Sequence, residues 1–378
     1  MEITPKEKHR EEVCLAFIRY MLNSTLFKAP EMDDEDWKDL YRFSYRHAIL
    51  GVVFEGVKRV QEHGVKPPRG VFKKWIVSSL KIEQENKLLN QTTVQVCQQL
   101  ERDGFRCCVL KGQGNNLMYP NPFGRTPGDI DVWLSKTGNT KADVRTIIQY
   151  VRRHNPKGKT VYHHIDYGKF QDIEVEVHYR PSFMNAPVNN HRLQKWFTQQ
   201  ADAQYENRVL LPEATFAINV PTPEFNAVFQ LAHIYSHLMN SGIGLRQVID
   251  YYYVLRALKD KQGIEATLRH LGLWKIAGAM MWVQHNILGL EEQYLIAEQD
   301  NRLGRVLGRE IVCGGNFGKK NPKGSSMPTS GTTPKWQRQV KKNVRRLRRD
   351  VRLVRYFPSE CLSEPFFRLY HFFWRMVM

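Results

Sequence analysis

Apolar and polar residues follow a helical period along the first quarter of the chain. Between residues 11 and 60, and again over residues 75–104, apolar positions recur at spacings of three and four, the spacing that lines one face of an α-helix. The second segment ends at Gly104, and glycine commonly follows the C-terminus of a helix. The pattern predicts an N-terminal helical unit over residues 1–90 and a long helix that continues to Gly104.

The apolar pattern becomes short and strand-like after this glycine. Four segments are apolar or alternate with period two, at residues 105–110, 129–134, 159–167 and 171–179. We expect the last two to form a β-hairpin that turns around Gly168 and Lys169. Residues 141–154 have a helical period and separate the second strand from the third. The pattern predicts an α/β core over residues 91–182.

Helical periodicity returns after Pro181 and predicts a helical domain over residues 183–312. Residues 313–335 are rich in glycine, serine, threonine and proline and lack an apolar period, which indicates a flexible linker. A basic helix and an aromatic C-terminus are predicted over residues 336–378. The expected fold class is α+β: a small mixed β-sheet core flanked by N-terminal and C-terminal helical units, with a basic helical tail.

Much of the positive charge lies in one segment. The 378 residues include 56 Lys and Arg against 38 Asp and Glu, a net charge of +18. From Lys319 to Arg355 there are 13 basic residues and one acid, Asp350, which leaves +12 in that segment. Because basic segments attract polyanions, residues 335–355 are a candidate surface for nucleic acid or an anionic membrane.

Composition is ordinary for a soluble globular protein. No apolar run approaches the roughly 18 residues that cross a bilayer, and the N-terminal residues lack the apolar core of a secretory signal. None of the six cysteines forms a CxxC pair, which favours reduced thiols in the cytoplasm. The adjacent Cys107 and Cys108 are expected to be buried strand residues rather than reactive thiols.

Acidic residues occupy alternate positions of two predicted strands. Asp129 and Asp131 are two apart in “RTPGDIDVWLS”, so their side chains point to the same face of a strand. In “DIEVEVHY” the acids Asp172, Glu174 and Glu176 alternate with apolar residues in the same way. Taken alone, the second strand is equally typical of a half-buried strand with a solvated acidic face.

Pairing of the two strands would bring three carboxylates together. These would be Asp129, Asp131 and either Glu174 or Glu176. Carboxylates at close range remain ionised together only when cations neutralise them, and oxygen ligands of this kind suit Mg²⁺ or Mn²⁺. Two such ions can assist an in-line phosphoryl displacement, so the pattern indicates phosphoryl-transfer chemistry.

A glycine turn precedes the first acidic strand. In “VLKGQGNN” a predicted strand ends and a helix begins, and backbone N–H groups at such a junction bind phosphate. Lys111 and Arg125 supply positive charge for a triphosphate. A tight turn that needs glycine at positive φ has the same pattern. The position before the acidic strand favours nucleotide binding by Lys111, Gly112 and Arg125.

Three segments resemble the uncharacterised nucleotidyltransferase family of the DNA polymerase beta-like superfamily. They are “VLKG…YPNPFGRTPGDIDVWL”, “IEVEVHYRP” and “HIYSHLMNSGIGLRQVIDYYYVL”. The resemblance implies a nucleotidyltransferase that moves a nucleoside monophosphate from NTP to an acceptor hydroxyl with Mg²⁺ or Mn²⁺. It also implies that Gly112 is the turn glycine, that Asp129 and Asp131 bind metal, and that Glu176 is the third carboxylate and metal ligand.

The resemblance bears on two finer points. It favours Glu176 over Glu174, because the family pattern places an acid two positions before a histidine and an aromatic residue. The chain departs from the superfamily at the turn, where Gly112-Gln113 replaces the usual Gly-Ser. Phosphate contacts are therefore expected from backbone N–H groups, Lys111 or Arg125.

Other candidate pairs of polar side chains are His163–His164, His233–His237 and Arg246–Asp250. Only one residue of the first pair can face the acidic side of a strand. The second pair has the spacing of metal ligands on a helix but no glutamate beside the first histidine, so a polar network in the core is expected. The third pair is expected either to form an ion pair on one helix face or to line the cleft.

A second class of function fits the same sequence. The alternative is a catalytically inactive nucleotidyltransferase-fold module that binds nucleic acid or an anionic membrane surface through its basic C-terminal tail. Retention of all three acids favours the enzyme, because clustered carboxylates are costly without a metal. No residue identifies the acceptor or the base of the NTP.

Overall fold

The computed structural model describes residues 5–136, 138, 141–240, 242–315 and 335–378. Most of the predicted linker, residues 316–334, lies outside the described residues. None of the described helices combines the length and the apolarity that crossing a bilayer requires.

The N-terminal segment is helical, as predicted. Its helices are α1 (Pro5–Leu22), α2 (Asp34–Arg46), α3 (Leu50–Glu62) and α4 (Arg69–Arg102). α2 begins with a capping box in which the Asp33 side chain accepts from the backbone N–H of Asp36, one of the N–H groups that a helix start leaves unpaired. Gly104 follows α4 at φ +81°. The predicted boundary between residues 90 and 91 falls inside α4, which packs on both the other helices and the sheet.

A four-stranded mixed sheet forms the centre of the molecule, so the predicted fold class is confirmed. Its strands are β1 (Arg106–Leu110), β2 (Ile130–Ser135), β3 (His164–Phe170) and β4 (Ile173–His178). The order is β1-β2-β4-β3, with β2 and β4 parallel and the other two pairs antiparallel. The crossover between β2 and the β3–β4 hairpin contains α6 (Lys141–His154), as the helical period predicts.

The hairpin between β3 and β4 turns later than predicted. The turn residues are Gln171 and Asp172, at φ 49° and 64°, so both lie in the left-handed region that a two-residue type I′ hairpin requires. Gly168 lies within β3 at φ +103°, where the register shifts between Asp166 and Gly168. The predicted turn glycine is therefore part of a strand irregularity, which is the other common use of a glycine in a strand.

One face of the sheet is apolar and packs on α4 and α6. It carries alternate residues of β1, β2 and β4, namely Cys107, Val109, Ile130, Val132, Leu134, Val175 and Val177. The opposite face carries Cys108 and Trp133, which belong to the larger core with the helices. Both cysteines are buried, as expected, because the two faces of β1 are both covered.

The C-terminal part is helical except for a small two-stranded sheet that the sequence did not predict. Its elements are α7 (Pro187–Glu206), β5 (Arg208–Val209), β6 (Ile218–Asn219), α8 (Pro223–Asn240), α9 (Leu245–Ala257), α10 (Ile264–His270), α11 (Trp274–Asn286), α12 (Asn301–Gly314), α13 (Lys335–Leu353) and α14 (Pro358–Val377). The short helix α5 (Gly112–Asn116) follows β1 directly. Together these elements bury the second face of the sheet around Trp133.

Candidate active site

The parallel strands β2 and β4 carry the predicted acidic residues. Asp131 pairs in register with Glu176, so the two side chains point to the same face. Asp131 is 5% exposed, whereas Glu176 is half-buried. The alternative of a solvated acidic face therefore does not describe this part of the sheet.

The acidic face is closed at one end and open at the other. At the closed end, Trp133 stacks on Phe225 of α8 with ring centroids 5.9 Å apart. At the open end, Asp129 precedes β2 and lines a cleft of about 740 Å³ together with Glu176. The structure thus brings Asp131 and Glu176 together and places Asp129 at the mouth of the cleft, outside the groups of ligand atoms that lie within 4.8 Å of one another.

The strand register distinguishes Glu176 from Glu174. Glu176 Oε2 lies 3.5 Å from His178 Nε2, and the same imidazole nitrogen contacts Asp131. Glu174 also lines the cleft, but it is exposed and pairs with Lys169 at the outer end of the hairpin. The geometry favours Glu176 as the acid that acts with Asp131.

Lys111 lies directly against the buried acid. Its Nζ is 3.0 Å from Asp131 Oδ2, because Leu110, the last residue of β1, pairs with Asp131 across the sheet. The Lys111 backbone has φ 54° and ψ −133°. Residues other than glycine rarely adopt this conformation, and those that do are concentrated at functional sites. Gly112 follows at φ +29° and begins α5.

Histidines form the other wall of the acidic site. His178 Nε2 is 2.7 Å from Asp131 Oδ1. His164 Nδ1 is 3.2 Å from Glu176 Oε2 and 3.1 Å from His163 Nε2. His178 shares the parity of the acids in “DIEVEVHY”, and that alternation was the available sequence signal for it. The sequence singled out the pair His163–His164 but not which of the two faces the acids, because that depends on how β3 pairs with β4.

The carboxylates differ strongly in their electrostatics. The negative charge of Asp131, together with burial, raises the pKa of Asp129 to about 6. Burial opposes ionisation of Asp131, but Lys111 and His178 hold its pKa well below the ordinary value. Burial likewise disfavours the charged form of His178, yet hydrogen bonds to Asp131 and Glu176 raise its pKa. The negative charge of Asp131 is therefore compensated by Lys111 and His178, whereas that of Asp129 at the mouth of the cleft is not.

A second pair of histidines, His233 and His237, lies close enough to Lys111 to be affected by its charge. His237 Nε2 is 2.9 Å from His233 Nε2 on α8, as expected for a polar network. Burial and then the charge of Lys111 lower the pKa of His237 to about 4. Both imidazoles are thus neutral near pH 7, since the same two causes hold the pKa of His233 well below its usual range.

Arg125, which the sequence predicts to supply positive charge for a triphosphate, forms a buried ion pair. Its Nε and Nη2 donate to the two carboxylate oxygens of Asp250 at 2.6 and 2.8 Å, and Tyr119 Oη donates to the same acid at 2.6 Å. Arg125 is 6% exposed. Asp250 therefore has Arg125 as a bidentate partner. Burial opposes ionisation of this acid, but its pKa is lowered by Arg125 and also by the charge of Arg246, on the same helix as Asp250. A role for Arg125 in nucleotide binding stays a prediction.

The donor set suits a divalent cation. Asp129 carries a raised pKa because a second carboxylate lies beside it, which is the electrostatic mark of a site with too little positive charge. Oxygen atoms of Asp131 and Glu176 would hold Mg²⁺, and the part of Asp129 as a third ligand stays a prediction. One ligand atom from each of Asp131, Glu176 and His178 also lies within 4.8 Å of the others, and this mixture of oxygen and imidazole nitrogen suits Mn²⁺ as well.

Comparison with known proteins gives one match that bears on function. A family model described as “Uncharacterised nucleotidyltransferase” matches residues 33–289, a range that contains the whole four-stranded sheet. A search of curated proteins gave no match. Among solved structures, the chain is similar to an antigenic nucleotidyltransferase-like protein from Paracoccidioides brasiliensis, with 14% identity and a TM-score of 0.31 over 60% of this chain and 98% of that chain. A likeness at that TM-score carries no argument.

Proposed function

Because the chain belongs to the uncharacterised nucleotidyltransferase family, we propose that it transfers a nucleoside monophosphate from NTP to an acceptor hydroxyl with Mg²⁺ or Mn²⁺. The observation that carries this proposal is the pairing of Asp131 with Glu176 on one face of the sheet, beside an open cleft that Glu176 and Asp129 line. Lys111 and His178 already compensate Asp131, but the neighbouring carboxylates raise the pKa of Asp129. A bound cation would relieve that repulsion.

The proposed reaction is a displacement at the α-phosphorus. The acceptor oxygen forms a bond to this phosphorus while the bond from phosphorus to the αβ-bridging oxygen breaks, so pyrophosphate leaves. When bound, Mg²⁺ or Mn²⁺ would neutralise the phosphate oxygens and lower the pKa of the acceptor hydroxyl. The hydroxyl proton goes to a carboxylate oxygen of Glu176, which lies on the cleft wall.

Lys111 has two positions in this proposal. Without nucleotide its ammonium compensates Asp131 at 3.0 Å. A cation bound to the acids would take over that compensation, and the flexible Lys111 side chain would then be free to contact a phosphate oxygen. This would replace the serine that the superfamily usually has after the turn glycine, because this chain has Gln113 there.

The test determines which phosphate of the nucleotide is transferred to the acceptor. Purified protein is incubated with Mg²⁺ or Mn²⁺, cell extract as the source of acceptors, and each NTP labelled at either the α- or the γ-phosphate. We expect α-label, but not γ-label, to become attached to an acceptor. Asp131→Asn should reduce transfer by about a hundredfold or more, as expected when a group that stabilises transition-state charge is lost.

Glu174→Gln is the matched control, because Glu174 lines the same cleft but Glu176 is the residue that pairs with Asp131. This variant should retain transfer, whereas Glu176→Gln should lose it. Transfer of γ-label would show a kinase instead, and equal transfer by wild type and Asp131→Asn would contradict the proposed site.

A further inference from the structure

The helix α13 exposes a row of large aliphatic side chains. The row consists of Val340, Val344, Leu347 and Val351, each between 42% and 68% exposed. Spacings of four, three and four residues place all of them on one face of the helix. This face therefore has no apolar partner among the described residues.

The helix α14 carries a second row of the same kind. It consists of Leu362, Phe366, Leu369, Phe373 and Met376, each between 56% and 74% exposed. The spacings of four, three, four and three residues again define one helix face. Exposed apolar surface on this scale marks an interaction site in a folded protein.

The opposite sides of both helices are packed on the protein. Leu353, Tyr356, Phe357 and Cys361 belong to the larger core, and Trp374 belongs to the sheet core. The buried carboxylate of Glu360 accepts hydrogen bonds from the backbone N–H groups of Asn185 and Ala186 at 2.7 and 3.2 Å. Other residues thus fix α13 and α14 to the rest of the protein, and the exposed rows form the outer surface of the two helices.

The composition of these helices is strongly basic. The 19 residues of α13 include nine Lys or Arg and one acid, Asp350. In α14 the two acids, Glu360 and Glu364, are buried at 1% and 4% exposure. Arg348 follows Leu347, a residue of the α13 row, and is also exposed. Apolar side chains therefore occur together with a strong excess of positive charge.

We propose that α13 and α14 dock on the surface of a membrane that contains anionic phospholipids. The apolar rows would enter the boundary between headgroups and acyl chains, and the Lys and Arg residues would contact the phosphates. Helices that lie in a membrane interface combine an apolar face that includes phenylalanine and leucine with basic residues on the polar face. Neither helix is built to cross the bilayer, so the contact is peripheral.

Two other occupants fit the observations less well. A second copy of the chain would bring two α13 helices, each with an excess of eight positive charges, into one interface, where like charges repel. RNA would satisfy the positive charge, and its bases could stack on the exposed phenylalanines of α14. It would leave the aliphatic row of α13 in water, however, because valine and leucine offer no platform for a base. An anionic bilayer is the partner that satisfies both properties.

The experiment uses the full-length protein and sedimentation with vesicles of phosphatidylcholine alone or mixed with phosphatidylglycerol. We expect binding to the mixed vesicles, weaker binding to the neutral ones, and loss of binding as salt screens the charges. Replacing Phe366, Leu369 and Phe373 with Gln should weaken binding about tenfold or more, because these side chains no longer leave water. Replacing Lys341, Lys342, Arg345 and Arg348 with Gln should weaken it as well.

The matched control replaces Val77 and Leu80 with Gln, because these side chains of α4 are also 68% and 54% exposed. That variant should bind vesicles as wild type does, and thermal melting should show all variants folded. Failure of wild type to bind mixed vesicles, or equal binding by the Phe366 variant, overturns the proposal. The proposal is also overturned if sedimentation velocity shows a dimer that only the variant with Gln at Phe366, Leu369 and Phe373 fails to form. Binding of RNA without binding of vesicles overturns it as well. The nucleotidyl-transfer assay in solution is a separate readout, and the apolar substitutions should leave it unchanged.

Discussion

Among individual residues, Asp131 is the most constrained group of the candidate site. Lys111 Nζ lies 3.0 Å from one of its oxygens and His178 Nε2 lies 2.7 Å from the other. Asp129, two residues earlier, has no comparable compensation, and its pKa is raised to about 6 mainly by the charge of Asp131. The excess negative charge is therefore located at Asp129, at the mouth of the cleft.

We predict that Asp129→Asn stabilises the metal-free protein at pH 8. The folded state holds a proton on Asp129 up to about pH 6, whereas the unfolded chain loses it near pH 4. Ionisation of Asp129 therefore costs stability as pH rises through this interval, and asparagine removes that cost. Protein atoms surround the Asp129 carboxyl, but the residue as a whole is exposed at the mouth of the cleft. Solvent screening therefore limits the expected gain to about 1 kcal/mol.

Urea denaturation in EDTA at pH 8 and pH 4 checks this prediction. The gain should be present at the higher pH and nearly absent at the lower one. Glu174→Gln serves as the control, since Glu174 is an exposed acid at the same cleft and lies in β4 rather than in the turn. A loss of stability for Asp129→Asn at pH 8 would show that the carboxylate is not repelled by its neighbours.

Among the elements, the β3–β4 hairpin determines which side chains face the acids. Its register shift between Asp166 and Gly168 places Asp166 opposite Glu176 and His164 opposite His178. A turn at Gly168, as the sequence predicted, would shorten β3 and change these pairings. The histidine wall of the site therefore depends on the position of the turn.

Two substitutions in this hairpin should change stability in opposite directions. Asp172→Gly should raise the free energy of unfolding by about 0.5 kcal/mol, because glycine suits the second position of a type I′ turn better. Gly168→Ala should lower it by more than about 1 kcal/mol, because alanine is strained at positive φ. Denaturation curves compare both variants with wild type. Stabilisation by Gly168→Ala would contradict the assigned backbone conformation.

For the whole molecule, the C-terminal helices are part of both cores. Phe357 packs on Tyr235 with ring centroids 5.0 Å apart, and Trp374 lies 6.1 Å from Tyr179, the residue that follows β4. Arg349 Nη1 also donates to the Asn240 carbonyl at 2.8 Å. Truncation before α13 would therefore expose core residues, and point variants on the surface are the appropriate way to study the basic segment.

We predict a large difference between two phenylalanines of this region. Phe357→Ala should lower the free energy of unfolding by about 3–5 kcal/mol, because it leaves a cavity in the core. Phe366→Ala should change it by less than about 0.5 kcal/mol, since Phe366 is 74% exposed and Phe357 is 5% exposed. Thermal and urea unfolding in the absence of lipid provide the comparison, and similar effects of the two substitutions would show that α14 does not pack as described.

The sequence by itself determined the order and type of most elements and the two acidic strands. These properties depend on local periodicity, since alternation within one strand already places Asp129 with Asp131 and Glu174 with Glu176. It also determined the basic excess near the C-terminus, which is a matter of composition. The family resemblance added the expected roles, and the family itself is confirmed.

Only the tertiary structure decided which residues meet. The parallel register of β2 and β4 places Glu176, and not Glu174, opposite Asp131. The partnership of Arg125 with Asp250 joins residues 125 positions apart, and the contact of Lys111 with Asp131 joins the end of β1 to the neighbouring strand β2. Such contacts depend on strand register and on the packing of distant helices, and neither is encoded in the spacing of residues along one segment.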